Sequence, residues 1–96
     1  MKIVRIVKMT FKAGSENEFI ELFEKTKGKI LASDGCTHLE LWNDIKFPGV
    51  FMTYSHWDSE AQLLKYRNSE LFAYTWNIVK PMFAIDAEAW SLNRLF

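Results

Sequence analysis

Apolar and polar residues alternate from Lys2 to Phe11. In an extended chain Ile3, Val7, Met9 and Phe11 share one side with Arg5, and Val4 and Ile6 share the other with Lys8 and Thr10. The pattern predicts a strand that is apolar on both sides and covered on both. Arg5 interrupts one of those sides. A guanidinium there either snorkels to a rim, pairs with a carboxylate, or faces a pocket as a cation able to hold an anionic substrate.

Gly14 ends the alternation, and Ser15 with Glu18 has the spacing of a capping box. A helix is expected from there to about Leu31. Phe19, Phe23, Thr26 and Ile30 form its apolar stripe, with Ile20, Lys27 and Leu31 beside it, while Glu21, Glu24, Lys25 and Lys29 make a solvated face. Ser33-Asp34-Gly35 supplies the stop.

A second strand is expected over Thr37 to Trp42, with Leu39 and Leu41 on one side and His38, Glu40 and Trp42 on the other. Asn43 to Gly49, carrying Pro48-Gly49, reads as a hairpin loop. The third strand, Val50 to Trp57, places Met52, Tyr54 and His56 opposite Phe51, Thr53, Ser55 and Trp57. The period then changes. Ser59 is a candidate N-cap with Gln62 completing a capping box, and Asn68-Ser69 restarts a second helical piece. Leu71, Thr75, Ile78 and Met82 recur at helical spacing, as do Phe72, Trp76, Val79 and Phe83, until Pro81 ends or bends the helix. Ile85 to Leu92 returns to alternation as a fourth strand.

Strand, helix, strand, strand, helix, strand is two β-α-β halves, the ferredoxin-like α+β arrangement: an antiparallel sheet with its helices on one face. The bare face carries apolar residues, so a second copy of the sheet is its simplest cover. A homodimer is expected.

Composition narrows the function. The 96 residues make one domain, and 49% of them are hydrophobic and 16% aromatic, more than so small an interior readily absorbs. Twelve basic and twelve acidic residues cancel without clustering, which argues against a nucleic-acid surface or an anionic-membrane patch. The single cysteine, Cys36, excludes an internal disulfide, and no His/Cys cluster has zinc spacing. No apolar run approaches the ~20 residues of a membrane helix. A cytoplasmic protein is the expectation.

The opening strand KIVRIVKMTFKAG, the turn Asp34-Gly35-Cys36, the segment Pro48-Gly49-Val50-Phe51 and Tyr54-x-x-Trp57-x-Ser59 with its following helix resemble the antibiotic biosynthesis monooxygenase family. The likeness covers nearly the whole chain and implies a dimeric α+β barrel. It also implies oxidation of electron-rich aromatic substrates, such as anthrones and hydroquinones, without metal, flavin or haem. The substrate anion itself then passes an electron to O₂, and the protein lowers the substrate's pKa, offers a base and keeps water out. In the haem-degrading branch of the superfamily an asparagine, a tryptophan and a histidine act; those positions fall near Val7, Tyr66 and Trp76. Indole N–H only donates, so Trp76 cannot replace an iron-binding histidine, and haem breakdown by that route is not implied.

Few side chains suit the remaining roles. His38 and His56 titrate in the useful range for a base, and Arg5 is the candidate for stabilising an anionic substrate oxygen. Tyr54 and Tyr66 could hydrogen-bond a phenolic or quinone oxygen, and Trp57, Phe72 and Trp76 could line or stack on a flat ring. Each also has a plain structural use, as a strand-end histidine, a backbone-satisfying tyrosine or a core aromatic. No Gly-x-Ser-x-Gly elbow or phosphate-cradling glycine loop is present. A non-catalytic binding or structural dimer of the same fold is the alternative.

Overall fold

A computed structural model describes residues 2–96. Its elements are β1 (Ile3–Thr10), α1 (Glu16–Leu31), β2 (Cys36–Asn43), β3 (Val50–Trp57), α2 (Glu60–Arg67), α3 (Glu70–Val79), a 3-10 turn (Lys80–Met82) and β4 (Glu88–Leu92). The strands form one sheet in the order β2-β3-β1-β4, every neighbouring pair antiparallel. This is the ferredoxin-like α+β arrangement that the alternation implies.

Register fixes which residues share a face. Arg5 lies opposite Ser55 on β3 and Ser91 on β4, and Val7 lies opposite Thr53 and Ala89. One residue out of step, Val4 pairs with His56 and Leu92, Ile6 with Tyr54 and Trp90, and His56 in turn with His38. The first set faces the helices and the second does not, because a strand sends successive side chains to opposite faces.

The helix-facing side holds two separate knots of core. The larger joins Met9, Phe11 and Phe51 of the sheet to Phe19, Val79 and Met82 of the helical layer. Phe11 stacks on Phe19 with ring centres 4.5 Å apart and meets Phe51 edge-on at 5.6 Å. The smaller joins Ile3, Trp57 and Leu63. Trp57 is 1% exposed, and its Nε1 donates to Ser55 Oγ at 3.0 Å, so the indole is buried with its one polar group satisfied.

Local details depart from expectation in two places. Ser15 makes no capping bond and sits in helical backbone geometry. Instead Gly14 N donates to Glu16 Oε2 at 3.0 Å, so the carboxylate one residue inside the helix takes the role expected of the Ser15–Glu18 box. β4 starts at Glu88, three residues after the alternation does. Ala84 N donates to Thr10 O at 2.8 Å, and the chain then bends before it can rejoin β1. The other caps form: Ser59 Oγ accepts from Gln62 N and Ser69 Oγ from Phe72 N, each at 3.2 Å. Ser69 thereby splits the second helical segment into α2 and α3.

Candidate functional site

Between the two core knots the sheet runs out of large side chains. Along β1 the inward residues are Ile3, Arg5, Val7 and Met9, and beside Arg5 and Val7 stand Ser55, Thr53, Ala89 and Ser91. Small residues below and helices above leave a cavity of about 350 Å³, within the ~300–1,000 Å³ range of small-molecule sites.

Its aromatic wall follows from helical spacing. Phe72 and Trp76 are four residues apart on α3 and lie nearly parallel, 13° between planes and 5.4 Å between ring centres. Tyr66 stacks on Trp57 at 4.9 Å and meets Phe72 edge-on at 5.3 Å. Trp57, Tyr66, Phe72 and Trp76 therefore form a continuous arc, and all four line the cavity.

The polar groups are few and one-signed. Arg5 and Arg67 line the cavity, and among the described residues no aspartate, glutamate, histidine or lysine does. Arg5 Nη1 donates to Ser91 Oγ at 2.9 Å, which holds the guanidinium on the sheet. Burial lowers the Arg5 pKa and the nearby Arg67 charge lowers it further, although an arginine stays charged through such a shift. Burial pushes the Tyr66 phenol up to about 12, with Cys36 adding to the effect. Tyr66 is therefore a neutral hydrogen-bond donor at physiological pH. Cys36 is half-buried; burial raises its thiol pKa, and its Sγ contacts His38 O at 3.7 Å.

The candidate residues thus separate into two groups. Arg5, Trp57, Tyr66, Phe72 and Trp76 come together around the cavity, and so does Val7. His38, His56 and Tyr54 lie on the opposite face of the sheet and do not line it. There they build a cluster of their own. His56 Nε2 is 2.7 Å from Tyr54 Oη, His38 Nε2 is bound to Glu40, and Trp42 Nε1 donates to Glu40 Oε1 at 2.8 Å. Trp42 stacks on Tyr54 at 4.7 Å. Strand alternation alone places them there: His56 is odd by one residue from Ser55 and Trp57.

Arg67 is the cavity residue that sequence reasoning passed over. The signal was present. Leu63, Tyr66 and Arg67 follow the i, i+3, i+4 spacing of one helix face, so the face that buries Leu63 turns Tyr66 into the cavity and brings Arg67 to its rim.

A family model described as antibiotic biosynthesis monooxygenase matches residues 2–75. Among solved structures, a Nitrosomonas europaea protein provisionally described as an antibiotic biosynthesis monooxygenase superposes with a TM-score of 0.92 at 14% identity, covering 99% of this chain and 91% of that one. A conserved protein from Methanosarcina mazei gives 0.92 at 17% identity, covering 98% and 93%. A Mycobacterium tuberculosis protein gives 0.91 at 16% identity, covering 100% and 97%. At such identities these likenesses speak to the fold. No curated protein matches the chain.

Proposed function

The chain belongs to the antibiotic biosynthesis monooxygenase family, and from that premise we propose that it is a cofactor-independent monooxygenase for a small aromatic or quinol-like substrate. The observation that carries the reading is the cavity itself: an aromatic arc closed over a floor of small residues, with positive charge and no acid among its lining groups. Such a site favours a flat ring whose oxygen becomes anionic.

In this reading Phe72 and Trp76 hold the ring, Arg5 lies at the phenolic oxygen, and neutral Tyr66 donates to a second oxygen. A cation beside the phenol lowers its pKa, so the substrate ionises without a strong protein base. The resulting electron-rich anion passes an electron to O₂. For an anthrone-like methylene the sum is CH₂ + O₂ → C=O + H₂O. One oxygen atom enters the product and the other leaves as water with the two methylene hydrogens, so no external reductant is consumed. The apolar arc keeps bulk water from the intermediate. Because His38 and His56 face away from the cavity, neither is given the base's role.

The protein is further proposed to act as a cytoplasmic homodimer. Among the described residues no helix is long and apolar enough to cross a membrane. The helix-free face of the sheet exposes Trp42, Trp90 and Leu92 at 41%, 40% and 43% beside Val4, Ile6 and Tyr54. A second copy of that face would cover them. A solution molar mass equal to one chain at micromolar concentration would remove this part of the proposal.

A second reading has one observation in its favour. Among the described residues no lining group of the cavity is a carboxylate or an imidazole, so they supply no general base there, as a purely binding dimer would not. Oxygen uptake decides between them. With chelator present and no added cofactor, a panel of anthrones, naphthols and hydroquinones should give saturable uptake that Arg5→Ala abolishes while the protein remains folded. A flat trace across the panel favours the binding dimer.

A further inference from the structure

Arg5 and Arg67 meet the cavity from opposite layers, one from the centre of the sheet and one from the last turn of α2. Among the described residues neither forms an ion pair; the ion pairs present are Lys27–Glu24, His38–Glu40 and Lys65–Asp34. Two guanidinium groups that face one apolar hollow without an acid repel each other, and burial costs the inner one, Arg5, part of its hydration. A single anionic oxygen of the substrate offsets only one of them.

The two are also placed differently. Arg5 is half-buried and pinned by Ser91, whereas Arg67 is exposed at the rim. A half-buried, fixed cation suits an oxygen that gains charge during reaction. An exposed guanidinium on a longer leash suits a group that is charged from the start, and its planar fork matches a carboxylate.

We propose that the substrate is an aromatic carboxylic acid, whose carboxylate Arg67 holds at the rim while its ionisable ring oxygen lies against Arg5. The proposal rests on the cavity being the ligand site, and it adds the substrate's class and a residue that selects it. Doubly charged phosphate fits less well, because the planar fork of a single rim guanidinium matches a carboxylate and the Thr26 and Thr75 hydroxyls of the lining already donate to helix carbonyls. The carboxylate's place at the rim leaves the ring pointing inward, along Tyr66 toward Phe72 and Trp76.

Calorimetric titration of the purified protein with 6-hydroxy-2-naphthoate, its methyl ester and 2-naphthol tests this. The acid should bind about ten-fold or more tightly than the ester, the size of a charge-assisted contact. Arg67→Met should erase that preference while the ester binds as before, and Arg67→Lys should restore part of it. Arg67 is exposed, so the variants should melt as the parent does. An ester that binds as well as the acid overturns the proposal, and so does a preference that survives Arg67→Met. In either case binding of 2-naphthol still supports the cavity as the ligand site, so only the carboxylate is lost. Acid preference without oxygen uptake removes the monooxygenase reading and keeps this one. No binding by any of the three removes both.

Discussion

Arg5 and Ser91 are joined across the β1–β4 pair, the guanidinium Nη1 donating to the serine hydroxyl at 2.9 Å in direct register. The contact is exposed, so it adds little to folding, but it fixes where a flexible cation points. Ser91→Ala should therefore change unfolding free energy by no more than about 0.5 kcal/mol. It should raise KM or Kd for a cavity ligand about three- to ten-fold, a fraction of a charged hydrogen bond. A loss of stability with unchanged affinity would make the pair structural.

Gly35 is the turn residue on which β2 and α2 converge. Its φ is +84°, and a Cβ there would lie 2.6 Å from Gln62 Cδ, the side chain that also accepts from Ser59 Oγ. Gly35→Ala should cost about 2–3 kcal/mol, from backbone strain and a displaced Gln62 together. Gly14 has φ +93° with nothing near its absent Cβ, so Gly14→Ala should cost only about 1–2 kcal/mol. Urea midpoints of the two variants separate clash from strain. Equal losses would mean that Gln62 swings aside freely.

Trp57 anchors the smaller core knot and closes one end of the cavity. Trp57→Ala should lower stability by about 3–5 kcal/mol, the range for a fully buried large aromatic. Denaturant unfolding of parent and variant at the same protein concentrations would measure it, with a concentration series separating any effect on self-association. A loss under about 1 kcal/mol would show that the knot collapses to fill the space.

His56 carries a pH dependence. Burial, then the charge of His38, with smaller effects of Lys2 and Arg94, lower its pKa from the ordinary 6.5, and Glu40 opposes them. The unfolded chain then takes up a proton before the folded one does. Stability is whole above about pH 6.5 and is lost as pH falls through the depressed folded value. Glu40, lowered chiefly by its bond to His38 and next by Trp42, acts in the same direction but only below its ordinary 4.5. Between about pH 7.5 and pH 5.5 the parent should therefore lose more stability than His56→Gln. Equal losses in the two would assign the effect elsewhere.

Much of this architecture can be read from residue order, and the reason lies in particular residues. Alternation in β1, β3 and β2 from His38 onward grouped the residues that share a side correctly, because successive strand residues point to opposite faces; only the Cys36–His38 irregularity interrupts it. Ser59 capped where its spacing to Gln62 indicated, and the helix restarted at Asn68-Ser69 as expected, with Ser69 capping it through Phe72 N. Ser15 did not, because Glu16 reached the Gly14 amide first. Which face the helices cover was not legible. Val4, Ile6 and Tyr54 are as apolar as Val7, Thr53 and Ala89, so His56 and Arg5 looked equally fit for a pocket until the layers were in place. Arg67 was hidden for the opposite reason. At the end of a short, mostly polar helix it reads as a dipole-balancing surface cation.

The break at Asn68-Ser69 has a consequence for how a ligand gets in. α2 is pinned to the Trp57 knot through Leu63, whereas α3 ends in the Phe11 knot through Val79. The ceiling over the cavity is thus two short spans with separate moorings, not one beam. Swinging the α2 span aside disturbs Leu63 and Tyr66 but leaves every strand pairing and the larger knot untouched. Amides of α2 should then exchange with solvent sooner than those of α1, and an occupied cavity should slow them selectively. Passage of a ligand would then depend on eight residues of helix, and the sheet beneath can stay rigid while it happens.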